Sequence, residues 1–170
     1  MTLSIPGYQI LDFLEDGTYY RLHRGVRLLD QTAVTLKILD PNQVDLVSLQ
    51  TLRYEAELSQ KLRIPGVPLV LAVEGVDVGS AYHAPMLVLE ALPGESLRHL
   101  FDRVDRNAEG FSFLFQEIHE ILALALSLVE TLGYLHEYGV LHRGLTSSNV
   151  FWDSKTKTVQ LLNVGLAPLL

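Results

Sequence analysis

The sequence has no cysteine, which excludes disulfides, thiolate metal sites and cysteine nucleophiles and agrees with a reducing compartment. It also lacks a long basic run. Against 20 Asp and Glu stand only 13 Lys and Arg, a formal charge of −7, so no nucleic-acid partner is expected. The N-terminal "MTLSIPGYQIL" has neither the positive start nor the continuous apolar core of a signal peptide, and a cytoplasmic protein is expected. No apolar run reaches the ~20 residues of a membrane span. The longest, "ILALALSLVETLGYL" at 121–135, is interrupted by Glu130. It reads as a buried helix, and no membrane is expected. His23, His83, His99, His119, His136 and His142 show no metal-ligand spacing, and no serine sits in a "GxSxG" context. Core or solvated roles are the plainer assignment for all of them.

What is present is 170 residues, 48% apolar, enough to bury a core. The first forty residues read as an antiparallel meander: "YQILDFL", a turn at "DGTYY", "RLHRGVRLL", a turn at "DQ", and the β-branched "AVTLKIL". Asp40-Pro41-Asn42 breaks the run, and a helix is expected from Asp45, its N-cap, to Leu62. Two more strands, "LVLAVEGVDV" and "PMLVLEAL", flank the turn "GSAYHA". "PGES" then reads as a connector and the chain as helical up to Tyr138, with 102–110 its most polar part. After Gly139, "VFWD", "KTKT" and "VQLLN" read as a short hairpin. No internal repeat or low-complexity tract occurs.

Several stretches bear on chemistry. On a helix at ~100° per residue, Glu55 falls in the middle of the stripe made by Leu52, Leu58 and Leu62. Glu57 falls opposite, beside Arg53 and Lys61. A carboxylate centred on an apolar face needs a buried partner, and Lys37 in "AVTLKIL" is the natural candidate. The bland readings remain open: Lys37 as a solvated strand lysine, Glu55 as a side chain reaching water at an edge.

In order along the chain, "EDGTYYRL", "AVTLKIL", the helix carrying Glu55, "PMLVLEALPGESL", "GYLHEYGVLHRGLTSSN" and "LLNVGLA" resemble a protein kinase domain. The likeness covers residues 8 to about 167. It implies an α+β, kinase-like fold: a five-stranded antiparallel small lobe with a C helix over residues 1–92, then a hinge and the first part of a helical large lobe over 93–170. Lys37 would hold the α and β phosphates of ATP in an ion pair with Glu55. Leu89 would be the gatekeeper, with Glu90 to Leu92 the hinge facing an adenine, and Gly17 and Leu22 would belong to the phosphate loop. Asn149 keeps the place of a metal-binding asparagine.

The departures from the family pattern fall on the chemistry. Glu15 and Tyr20 replace the first and third glycines of the phosphate loop, where backbone N–H groups must approach the phosphates. Gly144 stands where the family has its general base, Thr146 replaces the lysine two residues on, and Asn163 replaces the metal-binding aspartate. A general base is typically worth ~10²–10⁴ in rate, and a neutral amide holds magnesium poorly. The resemblance therefore implies a degenerate domain, a pseudokinase rather than an enzyme: a regulatory or signalling module with weak ATP binding at most and no bound magnesium. Its partner would be a protein or downstream domains of the same polypeptide. The alternatives are an active Ser/Thr kinase with an atypical base such as Asp153, and a structural scaffold that binds no nucleotide. The apolar "APLL" soon after "NVG" suggests an N-terminal piece of a longer protein or an end that needs covering. "IPGYQIL", "IPGV" and "PGESL" are similar to the kinase-like module that opens large bacterial sensor proteins carrying an ATPase and a histidine kinase.

Overall fold

The computed structural model describes residues 5–40, 42–77, 83–106 and 118–165. Four sequence expectations therefore lie outside the described residues: most of the turn at 79–84, the polar stretch at 107–110, helix over 107–117, and the apolar end at 166–170. The chain divides into two compact units.

The first unit holds Pro68–Leu92 and the described residues up to Arg63. Its five strands are β1 (Tyr8–Asp16), β2 (Tyr20–Arg27), β3 (Thr32–Leu39), β4 (Val70–Asp77) and β5 (His83–Glu90). They form one antiparallel sheet in the order β1-β2-β3-β5-β4. The central strands β3 and β5 are buried on both faces. Val34, Leu36 and Ile38 of β3 and Ala84, Met86 and Val88 of β5 pack with Ile5, Tyr8 and Val76 on one face. Period-2 alternation puts Thr35, Lys37, Leu87 and Leu89 on the other, all of them also buried.

Helix α1 (Leu46–Lys61) packs on β4 and β5. It starts where expected because Asp45 closes a capping box: its carboxylate accepts from Ser48 N at 2.7 Å, and Ser48 Oγ accepts from Asp45 N at 2.9 Å. The bond from the Ser48 N–H foremost holds the Asp45 carboxyl below its ordinary range. The helix ends at Leu62, whose backbone is extended, shortly before Pro65 removes the next donor.

The second unit comprises Ile64–Val67 and the described part of Pro93–Gly165. A three-stranded sheet, β6 (Glu95–Ser96), β7 (Val150–Asp153) and β8 (Thr158–Leu161), is accompanied by α2 (Leu97–Arg106) and α3 (Ile118–Glu137), and α3 lies on β8. Val159 N donates to Ser127 Oγ at 2.8 Å, fixing that contact.

The α+β class and the five-stranded antiparallel sheet with its helix are as expected. Three sequence readings are corrected. "PGES" is not merely a connector, because Glu95 and Ser96 pair with Trp152 and Phe151. Ile64–Val67 belong to the second unit, where the Gly66 carbonyl accepts from Leu161 N at 2.7 Å. The apolar helix at 121–135 is not buried: in α3 only Thr131 and Leu135 are, while Ile121, Leu122, Leu126 and Val129 are exposed among the described residues. By length and composition alone this helix is long and apolar enough to cross a membrane.

Candidate functional site

The sequence-predicted residues fall into two groups, one in each unit. In the first unit Leu22, Lys37 and Leu89 share one sheet face. Cross-strand partners lie on the same face, and the register runs Glu15 to Leu22, Leu22 to Lys37 and Lys37 to Leu87. All four side chains are buried. Lys37 is fully enclosed, and its ammonium donates to Glu55 Oε2 on α1. The helical phase explains the choice of acid: Glu57 is exposed and lies 3.9 Å from Lys61 on the wet side. An ammonium and a carboxylate buried together neutralise one another, which neither can do without the other.

A second neighbour of Lys37 is Tyr20, whose ring centroid lies 4.7 Å from Nζ. Next to it Tyr19 packs edge-on at 5.4 Å. Burial, followed by the charge of Glu55, pushes the Tyr19 hydroxyl up to about 12. Gly17, the one glycine kept from the family pattern, donates its N–H to the Tyr20 carbonyl at 2.9 Å.

The residues expected as the hinge are engaged internally. Leu89 is fully buried. Glu90 N donates to the Leu69 carbonyl at 2.9 Å, and the Glu90 carboxylate accepts from Leu69 N at 3.2 Å. Leu92 N donates to Thr35 Oγ1 at 3.0 Å. Sequence reading missed Thr35. The signal was a polar residue two positions before Lys37, hence on the same buried face.

In the second unit the expected loop residues come together. His142 is buried and its Nδ1 accepts from Gly144 N at 3.3 Å. Asn149 Nδ2 donates to the Gly144 carbonyl at 2.6 Å, and Asn163 Nδ2 donates to Asn149 Oδ1 at 2.7 Å. Thr146 is exposed, contributing its carbonyl to Asn149 N at 3.0 Å. Arg143 and Asn163 both have φ near +60°, a conformation asparagine tolerates better than most side chains. The bond between the two asparagines was not foreseen. Asn163 presents an N–H donor to the oxygen that a cation would need.

Asp153, the alternative base, caps the turn between β7 and β8. Its carboxylate accepts from Lys155 N at 3.0 Å and from Thr156 Oγ1 at 2.9 Å. Those bonds, the Lys155 N–H foremost, hold it below the ordinary carboxylate range and make it a weaker base. Among the described residues no three His, Asp or Glu side chains cluster as a metal site.

Residues 8–170 match the protein kinase domain. The chain is 30% identical over 166 residues to a Schizosaccharomyces pombe protein named serine/threonine-protein kinase ppk23, covering 96% of this chain and 38% of that one. It is 26% identical over 156 residues to the human hormonally up-regulated neu tumor-associated kinase, covering 91% of this chain and 20% of that one. With the Xenopus laevis homolog A of that kinase it shares 25% over 168 residues, covering 98% and 22%. The chain thus spans between about a fifth and two fifths of the length of these relatives. The expectation that it is not an enzyme is corrected here, since relatives matched along nearly the whole chain are named as protein kinases and point to a kinase enzyme. By the match over residues 8–170, this chain belongs to the protein kinase family.

Proposed function

We propose that the chain is a protein kinase-family domain whose phosphoryl transfer is impaired and whose main role is regulatory, with a nucleotide site on the Lys37 face of the first unit. The observation that carries this reading is the Asn163 to Asn149 bond. Phosphoryl transfer rests on positioning and on metal ions that neutralise developing charge. A divalent cation is a poor fit where two neutral amides are bonded to one another, one of them turning its N–H towards the other's oxygen. Gly144 adds to the impairment, because it brings no side chain to take a proton from a substrate hydroxyl.

Retention of the buried Lys37 and Glu55 pair supports a nucleotide site, since the same pair places phosphates in the family. The acidic balance of the chain supports a protein rather than a nucleic-acid partner. The likeness of "IPGYQIL", "IPGV" and "PGESL" to a bacterial sensor module supports a place in signal transduction.

The test is labelled-phosphate transfer from ATP and Mg²⁺ by the full-length protein, beside a Gly144→Asp, Asn163→Asp double variant. The native rate is expected to be lower by about a hundredfold or more. Equal rates, with native transfer abolished in Lys37→Ala, would overturn the impairment.

A further inference from the structure

We propose that Tyr20 determines which ligand the Lys37 site prefers: its ring occupies the place over the ammonium that a phosphate needs, so the site holds a nucleoside at least as tightly as its polyphosphate. The inference rests on reading the Lys37 face as a nucleotide site and adds the ligand class.

Neighbours of Lys37 Nζ in its own unit include the Glu55 carboxylate and the Tyr20 ring, whose centroid is 4.7 Å away. Tyr20 itself is only 3% exposed, so the ring is packed in place rather than resting on the surface. The turn that carries it is closed by the bond from Gly17 N to the Tyr20 carbonyl. A Cβ at Gly17 would stand 2.3 Å from the Tyr20 ring. The one glycine retained in this loop is therefore needed by the tyrosine: its bare backbone makes room for an aromatic side chain.

A phosphate group reaching Lys37 has to displace the ring, and a cation held against an aromatic face in a dry site resists that displacement. A nucleoside carries no phosphate that has to displace the ring. Tyr20 thus acts as a permanent occupant of the phosphate position, and removing the ring opens that position without altering Lys37 or Glu55.

The experiment is calorimetric titration of the full chain with adenosine and with ATP, both without magnesium, for the native protein, Tyr20→Phe and Tyr20→Gly. The native protein and Tyr20→Phe, which keeps the ring, are expected to bind ATP no more tightly than adenosine. Tyr20→Gly is expected to favour ATP by about tenfold or more while its adenosine affinity stays put. Where a thermal melt shows that the glycine variant does not fold, Tyr20→Ser gives the same reading. Native protein that prefers ATP by about tenfold, or a ring-free variant with an unchanged ratio, overturns this inference and leaves the nucleotide site standing. Adenosine binding by none of the proteins overturns the nucleotide site itself, and this inference with it.

Discussion

Asn163 donates its side-chain amide to Asn149 Oδ1 at 2.7 Å, and Asn149 passes its own amide to the Gly144 carbonyl at 2.6 Å. Two of the positions at which the sequence departs from the kinase pattern are thus tied together through a third that conforms to it. Asn163→Asp breaks this chain, since a carboxylate has no proton to give and would face the Asn149 oxygen. We expect a loss of ~1–3 kcal/mol in EDTA, regained in part when Mg²⁺ is added. Thermal melting with and without the cation measures both. An unchanged melting temperature in EDTA would mean that the amide bond contributes nothing.

The Lys37 and Glu55 pair calls for a two-part test, because a buried ion pair can be costly to break yet worth little overall. Lys37→Met leaves the buried Glu55 carboxylate without its cation and is expected to cost ~3–5 kcal/mol. The double variant Lys37→Met, Glu55→Leu replaces both charges by apolar volume and is expected to recover most of that loss. Denaturant midpoints of the native protein and the three variants, Glu55→Leu alone included, complete the cycle. Additive losses would show that the two residues are not coupled.

How far this was legible in the sequence differs from one feature to the next. Local rules located α1 to within a residue, since Asp45 is a good N-cap and the apolar stripe has helical phase. The same phase singled out Glu55 over Glu57 and so identified the partner of Lys37. What was not legible depends on long-range approach. The Thr35 hydroxyl meets Leu92 N from 57 residues away in sequence. The Tyr20 ring lies over Lys37 only because β2 and β3 pair in that register. The reading of α3 failed for a different reason: an apolar composition shows that a helix can be buried, and not which residues cover it.

The bond from Leu92 N to Thr35 Oγ1 uses a donor that, on the proposed nucleotide reading, an adenine would otherwise find free. Thr35→Val keeps the shape and removes the acceptor. It should lower stability by ~1–3 kcal/mol, the cost of a buried unpaired N–H. Adenosine, which can supply an acceptor to that N–H, should bind several-fold more tightly than to the native protein. Denaturation and calorimetry read the two effects separately. Weaker adenosine binding in a folded Thr35→Val would show that the hydroxyl orients the hinge instead of competing for it.

Alkaline pH should destabilise the first unit. Burial raises Tyr8 from 10.0 to about 12, helped by its hydroxyl bond to Glu74, and burial followed by the Glu55 charge raises Tyr19 to about 12. A folded value above the unfolded one means that the unfolded chain loses its protons first. The contribution of each tyrosine is therefore fully present below pH 10 and is lost as pH rises towards 12. Melting temperature should be flat up to about pH 9 and fall above 10. In the Tyr8→Phe, Tyr19→Phe double variant the fall should be shallower. An identical profile for both proteins would refute the assignment.

Gly94 in "PGES" ties a sequence motif to the packing of the second unit. Its φ is +71°, in the left-handed region, and a Cβ there would stand 2.0 Å from the carbonyl oxygen of Trp152. That oxygen belongs to β7, which pairs with β6 directly after the glycine, so the obstacle is a backbone that cannot rotate away. A side chain in the left-handed region costs ~1–2 kcal/mol, and forced repacking of a tight contact costs ~1–3 kcal/mol more. Gly94→Ala should accordingly destabilise the second unit by ~2–5 kcal/mol. Trp152 is the single tryptophan of the chain and is buried, so its fluorescence reports this unit without added label. The variant should show an earlier denaturant midpoint in that signal. A midpoint equal to the native one would mean that β6 and β7 separate freely, and the β6 pairing would then hold nothing in place.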